Sequence, residues 1–285
     1  MASDTRLVFI GGGVMAEAMI RGLLQKGIVP AGGIAVTGPR AERRDDLATR
    51  FGIRAMEGNA AAATDATVIV LAVKPQVLPK VMRELRGSLR PDQLGLSIVA
   101  GATMHALQTG LGHDAVVRAM PNTPAQVAMG VTAWYAAPAV TAAQRATTET
   151  LLGALGEQIA VEDEAHVDMA TALSGTGPTY VFLLMEAMVD AGVHLGFSRR
   201  VAEELVLRTV EGSALFARQS GRHLAELRNM VTSPGGTSAA AIYQLEKGSL
   251  RTVLSKAIYA AHERTVALGI ETERRVSESE EEGRQ

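Results

Sequence analysis

The sequence contains no cysteine, which excludes a disulfide framework and thiol chemistry. Aromatic residues make up only 4% of it, so Ala, Val, Leu, Met and Gly must fill the interior, a composition suited to closely packed helices. An excess of either charge is also missing. Lys and Arg total 28 against 30 Asp and Glu, and the net charge of −2 argues for neither nucleic acid nor an anionic membrane as partner. No apolar run approaches the length of a membrane span. The opening MASDTRLVFIGGG lacks the basic region, apolar core and cleavage site of a signal peptide, and a cytoplasmic location is the expectation. None of the histidines sits in a close, ligand-spaced cluster, so no metal site is expected. What is present is length and apolar content. With 285 residues, 47% of them hydrophobic, the chain can bury a large core and has room for two domains.

The first half alternates apolar runs with helical patterns. Leu7 to Ile10 reads as a buried strand, and Gly11-Gly12-Gly13-Val14-Met15-Ala16 leads at once into a helix. The spacing Gly11-x-Gly13-x-x-Ala16 fits the dinucleotide fingerprint. Gly11 permits the tight turn, Gly13 lets a pyrophosphate approach, and Ala16 allows the helix to sit close on the sheet. The competing reading is a plain glycine-rich turn. Ile34 to Val36 is the second strand. An NAD-preferring site would end it with an acid, to hold the ribose hydroxyls. Here Thr37-Gly38-Pro39-Arg40 follows, with Arg43 and Arg44 close behind. A hydroxyl and a guanidinium suit a 2′-phosphate, which predicts NADPH, with NADH as the alternative. The bland reading of the arginines is solvated helix surface.

Thr67 to Val73, Leu94 to Val99 and Ala115 to Met120 are further buried strands, and Val131 to Tyr135 and Gln158 to Val161 look like closing ones. Their ends deliver Lys74-Pro75, Ala100-Gly101 and Pro121-Asn122-Thr123-Pro124, at the edge where open α/β sheets bind ligands. Asn122 or Thr123 could hydrogen-bond a nicotinamide carboxamide; a rigid double-proline turn is the alternative. Thr141-x-x-Gln144 reads as a capping box. The expectation is an α/β chain, with a doubly wound nucleotide-binding sheet over residues 1–163.

From Glu164 the strands stop. Pro178 is placed for a helix first turn, and Val181, Leu184, Met185, Met188 and Leu195 trace one helical face. Ser198 can cap the next helix, which is apolar around most of its circumference. A domain of about a hundred residues struggles to bury so many faces alone, which predicts an intertwined helical dimer. Residues 164–270 are expected to form this all-α dimerisation domain. The charged, apolar-poor tail 271–285 is expected to be disordered. Between the long helices stands VTSPGGTSAAAIYQLE, Val231 to Glu246. Its glycines let the backbone turn, and the helix that follows presents free amides and a positive dipole end. Ser233, Thr237 and Ser238 crowd hydroxyls around that end, as a small carboxylate requires. A capped helix after a turn is the bland reading.

Four blocks stand together in order: IGGGVMAEAMIRGLL, AVKP at Ala72 to Pro75, RAMPNTPAQVAMG at Arg118 to Gly130, and the pair LSGTGPTY and VTSPGGTS. Over residues 6 to 270 the chain closely resembles pyrroline-5-carboxylate reductases, NAD(P)H-dependent enzymes of the last step to proline. The resemblance implies a Rossmann domain, an all-helical dimerisation domain and a substrate site at the dimer interface, with oligomers above the dimer left open. It places the cofactor on Gly11, Gly13, Val14, Met15 and Ala16, the 2′-phosphate region on Thr37 to Arg40, and the adenosine side on Asn59. Ala72, Val73, Lys74 and Pro75 and the turn Ile98 to Ala100 would flank the nicotinamide. The substrate stretch falls on Ser233, Gly235, Gly236, Thr237 and Ser238, with Thr237 and Ser238 in the catalytic role and Ser238 facing the imine. Thr176 is the next hydroxyl in line. Many members have Thr where Ser238 stands, and a polar residue where Met230 stands. The rivals are a reductase of other imines, a relative of the β-hydroxyacid dehydrogenases, which would want a lysine in the helical domain, and a nucleotide-sensing scaffold without turnover.

Overall fold

The computed structural model describes residues 5–282. They fall into two compact units, one of residues up to Thr176 together with those from Ala261 onward, the other Gly177–Ala260.

The first unit is built on eight strands: β1 (Leu7–Ile10), β2 (Ile34–Thr37), β3 (Arg54–Ala55), β4 (Val68–Leu71), β5 (Leu94–Ser97), β6 (Val116–Met120), β7 (Gly130–Ala136) and β8 (Gly156–Ala160). They lie in the order β3-β2-β1-β4-β5-β6-β7-β8. All neighbours are parallel except β6 and β7, where Arg118 faces Tyr135 across an antiparallel pair. Every residue of β1, β2, β4 and β5 is buried, which is why these strands read as unbroken apolar runs rather than alternating ones. The strand β3 escapes such a reading, since it is two exposed residues long.

Helices α1 (Val14–Gln25), α2 (Ala41–Phe51), α3 (Asn59–Ala63), α4 (Leu78–Leu85), α5 (Met104–Leu111) and α6 (Ala142–Gly153) cover the sheet. Phe9, Met19, Leu47, Leu71 and Trp134 are in its core. The capping box forms as read: Thr141 Oγ1 accepts from the Gln144 amide at 3.2 Å, and the Thr141 amide donates to Gln144 Oε1 at 2.9 Å. The register pairs Ile10 with Thr37 and with Leu71. Three strands therefore end level, and the chain leaves β1 toward β2 on one side while β4 and β5 extend the other. This is the switch point at which a doubly wound sheet opens a crevice.

The first unit reaches further than Asp163, where strand alternation ends. Helix α7 (Ala165–Ala170) and a π-turn at Thr171–Gly175 belong to it. The cause is a buried charge cluster. Arg118, 3% exposed in β6, donates to Glu164 and, at 2.8 Å, to Asp168. Glu164 also accepts from the Met104 amide at 2.6 Å.

In the second unit α8 (Gly177–His194), with Pro178 in its first turn, packs on α9 (Arg199–Ser220), and α10 (Leu224–Met230) and α11 (Thr237–Lys247) follow. Its buried cluster is small: Val189, Ala202 and Val206, with Met185, Val193 and Val210 against it. Large apolar side chains stay exposed, among them Phe182, Leu183, Leu205, Phe216 and Tyr259. Among the described residues no helix is long and apolar enough to cross a membrane.

The expectation of a disordered tail from residue 271 needs correction. One helix, α12, runs Leu250–Glu282, and only residues 283–285 of that tail lie outside the described ones. Thr265, Thr272 and Val276 are buried. Arg274 and Glu278 are exposed beside them, so the average composition conceals a narrow buried seam.

Candidate active site

The glycine loop after β1 is shaped by contacts only glycine tolerates. Gly11 has φ +103°, and a Cβ there would lie 2.7 Å from the Ala72 carbonyl oxygen. Its amide donates to the Thr37 carbonyl at 3.1 Å. A Cβ on Gly12 would meet Leu47 at 2.8 Å, whereas one on Gly13 would find nothing nearer than 3.9 Å. Gly13 is the N-cap of α1 and has no side chain to accept a hydrogen bond. The first amides of α1, on Val14, Met15 and Ala16, therefore face outward with no intrahelical acceptor. Ala16 is fully buried and Val14 exposed, as close helix-on-sheet packing requires.

Two adjoining cavities open over this loop. One of about 220 Å³ is bounded by Gly11 to Gly13, Thr37 to Arg40, Ala72 to Lys74 and Val77. The other, about 420 Å³, shares Gly11, Gly38, Pro39 and Val73 and adds Asn59, Lys80 and Glu84. Exposed amides, a dipole end and a close backbone approach fit a diphosphate, and the two cavities together suit a dinucleotide's adenosine half.

The arginines divide. Arg43 donates to the Gly12 carbonyl at 2.8 Å and to Glu17 at 2.5 Å. Arg44 donates to the Gly38 carbonyl at 2.5 Å and to Glu57 at 3.0 Å. Glu17 also binds Arg21 and Arg50, at 3.0 and 2.8 Å. Its carboxyl is held down at about 2, chiefly by the Arg50 hydrogen bond against the opposing cost of burial, with Arg43 assisting. Arg40 lines the smaller cavity, and its guanidinium has no hydrogen-bond partner among the described residues. It is the free cation of the three.

Thr37 and Asn122 sit differently from their expected roles. The Thr37 hydroxyl is buried and donates to Asn59 Oδ1 at 2.7 Å, while Asn59 Nδ2 donates to Glu84 at 2.6 Å. The Thr37 hydroxyl is thus committed to Asn59, and the exposed cations lining the cavities are Arg40, Lys74 and Lys80. Asn122 accepts from the Val131 amide at 2.9 Å and donates to the Ser174 carbonyl at 3.2 Å. Its side chain latches the β6–β7 loop to the π-turn, which leaves a carboxamide-binding role weakly supplied. Lys74, exposed, is the N-cap of a short turn Pro75–Val77. Ala72 supplies the carbonyl beneath Gly11, and Val73 lines both cavities. Ala100 lies half-buried after β5.

Ser233-Pro234-Gly235-Gly236 closes a β-turn. The Gly236 amide donates to the Ser233 carbonyl at 3.1 Å, and Gly235 has φ +68°. Proline second and a positive-φ glycine third define a type II turn. A Cβ on Gly236 would lie 2.5 Å from Ser233 Oγ. Gly236 is also the N-cap of α11, so no side chain satisfies that helix's first amides. Ser233 and Thr237 are exposed and Ser238 half-buried. Thr176 lies at the end of the π-turn, its hydroxyl donating to the Thr171 carbonyl at 3.0 Å. Single π-turns are frequent at functional sites.

Known proteins resemble the chain over nearly its whole length. Residues 164–268 match the model of the pyrroline-5-carboxylate reductase dimerisation family, and residues 6–101 that of the coenzyme F420-dependent NADP oxidoreductases. The pyrroline-5-carboxylate reductase of Pseudomonas aeruginosa is 45% identical over 267 residues, 93% of this chain and 97% of that one. The chain belongs to the pyrroline-5-carboxylate reductase family. A crystal structure of the Plasmodium falciparum pyrroline carboxylate reductase with NADP bound has a TM-score of 0.86 at 30% identity, covering 94% of this chain and 99% of that one. The Coxiella burnetii reductase matches with 0.85 at 38%, over 93% of this chain and 98% of its own. As a member of this family the chain is an NAD(P)H-dependent oxidoreductase with a Rossmann-type domain and an oligomerising helical domain.

Proposed function

We propose that this reductase converts 1-pyrroline-5-carboxylate to L-proline, prefers NADPH over NADH, and works as a homodimer joined through its helical domain. The observation that carries the reading is the type II Ser-Pro-Gly-Gly turn opening α11 with uncapped amides, in a chain 45% identical to a relative of that name. The reduced nicotinamide supplies the hydride. The chain's own work is to hold and orient. Amides of Gly236, Thr237 and Ser238 take the substrate carboxylate, where the dipole end of α11 favours negative charge. The Ser238 hydroxyl hydrogen-bonds the ring nitrogen. One hydride on carbon and one proton on nitrogen complete the change from C=N to CH–NH, and acceleration comes mainly from proximity and orientation.

Cofactor preference rests on Arg40, unpaired beside the diphosphate loop, in a position where an acid would select NADH. The homodimer rests on the small core of the second unit and its exposed Phe182, Leu183, Leu205 and Phe216, an apolar area beyond what monomers usually leave in water.

The test is NADPH oxidation with 1-pyrroline-5-carboxylate, repeated with NADH and with Ser238→Ala. Turnover should appear with both cofactors, with the higher kcat/KM for NADPH. The substitution should lower kcat about tenfold or more while NADPH affinity holds, the size of one lost hydrogen bond to a charged group. Unchanged turnover in Ser238→Ala would move the nitrogen-binding role elsewhere, first to Thr176.

A further inference from the structure

The turn between β5 and α5, residues 98–103, is gripped from two directions. On one side Glu164 accepts from the Met104 amide at 2.6 Å, itself anchored on buried Arg118. On the other lies the C-terminal half of α12. Gly101 has φ +70°, and a Cβ on it would be 2.6 Å from Leu268 Cβ and 3.3 Å from the Gly269 nitrogen. A Cβ on Gly269 would in turn meet Thr103 Cγ2 at 3.2 Å. Two glycines thus let the helix and the turn approach closely, with only the side-chain atoms Leu268 Cβ and Thr103 Cγ2 at the contact. Four residues beyond Gly269, Glu273 accepts from Thr103 Oγ1 at 2.6 Å. That same oxygen accepts from the Ala106 amide at 3.2 Å and so caps α5. Thr272 and Val276, on the same stretch of helix, are buried.

We infer that the C-terminal half of α12 braces the nicotinamide-flanking turn through Glu273 and Thr103, making Glu273 a positioning residue for hydride transfer. The inference rests on the proposed reading and on the family resemblance, which puts Ile98 to Ala100 beside the nicotinamide. The turn's own hydrogen bonds are weak: the Ala102 amide reaches the Val99 carbonyl at 3.4 Å, and the Val99 amide reaches Ser97 Oγ at 3.3 Å. At its start the Ile98 amide donates to the Leu71 carbonyl at 3.1 Å, so β4 fixes that end, and the position of the rest depends on what packs against it. A carboxylate accepting a hydroxyl proton makes a charge-assisted bond, and its charge sits by the positive end of α5. Glu273 and Val276 lie past residue 268, where the match to the dimerisation family ends.

The experiment uses the full chain with Glu273→Ala, Glu273→Gln and wild type. Three measurements are made on each: steady-state kinetics, NADPH affinity by fluorescence, and hydrogen exchange of residues 98–103. Glu273→Ala should lower kcat about fivefold, since small misplacements at a reacting centre cost rate before they cost binding. NADPH affinity should stay within about twofold, because the diphosphate and 2′-phosphate contacts are untouched. Exchange in the turn should quicken. Glu273→Gln, which keeps an acceptor oxygen, should restore most of the rate and the protection. Equal kcat and equal protection in Glu273→Ala and wild type would overturn the inference, as would an equal loss in Glu273→Gln. A wild type without pyrroline-5-carboxylate turnover would instead refute the underlying reading, and the exchange arm would still report whether the brace exists.

Discussion

Gly11→Ala should weaken NADPH binding about a hundredfold, equivalent to about 2.7 kcal/mol, or lower folding stability by the part of that cost not seen in binding. A φ of +103° lies outside the regions an L-residue with a side chain adopts readily, and the new methyl would overlap the Ala72 carbonyl at 2.7 Å. That carbonyl is backbone of the segment leaving β4 and cannot swing aside as a flexible side chain could. The chain has two responses. It can keep the loop and carry the strain, of order 1–3 kcal/mol for such a backbone, with the overlap added. Or it can relax the turn and withdraw the first amides of α1 from the diphosphate. The second response is expected to dominate, because one backbone hydrogen bond, from the Gly11 amide to the Thr37 carbonyl, ties the loop to the sheet, with Arg43 holding the Gly12 carbonyl from α2. Fluorescence titration with NADPH and urea unfolding measure the two shares. Gly32→Ala is the control, having open space around its Cβ and no positive φ. An NADPH affinity within about threefold of wild type, together with unchanged unfolding, would show that the turn is not the cofactor's support.

Replacing Arg118 by Leu should cost about 3 kcal/mol of stability in urea unfolding. Breaking a buried ion pair from one side typically costs about 3–5 kcal/mol, because it strands the remaining charge. The lower end applies here, since the side chains of Glu164 and Asp168 remain 31% and 19% exposed and water can take up part of their charge. The triple replacement of Arg118, Glu164 and Asp168 by apolar residues should recover much of the loss, since the desolvation cost leaves with the charges. A loss below about 1 kcal/mol in Arg118→Leu would mean the cluster is solvated in solution.

Much of the fold was legible because its central strands are buried on both faces. Leu7 to Ile10, Val68 to Leu71 and Leu94 to Ser97 have no polar alternation to confuse with a helix face. The capping box at Thr141 and the turn at Ser233 were legible for a local reason: their geometry is set by residues within four positions of each other. What sequence could not supply was the choice among partners. Arg40, Arg43 and Arg44 look equivalent in a string. Only the packing of α2 against α1 and the glycine loop commits Arg43 to Glu17 and leaves the Arg40 guanidinium without a partner among the described residues. Asn122 and Thr37 have side chains suited to a cofactor, yet tertiary contacts turn one into a loop latch and bury the other behind Asn59. The tail after Glu271 misled through its average composition. Thr272 and Val276 sit a helical turn apart, a spacing that could have signalled one buried face within the charge.

The most direct test of the central chemistry is isotopic. The enzyme is given 1-pyrroline-5-carboxylate and NADPH carrying deuterium at the transferred position of the nicotinamide, and the product is analysed by mass spectrometry. The account predicts proline with one deuterium, on the ring carbon that had been the imine carbon, in step with NADPH consumed. Unlabelled proline, or NADPH oxidised with no proline formed, would contradict it.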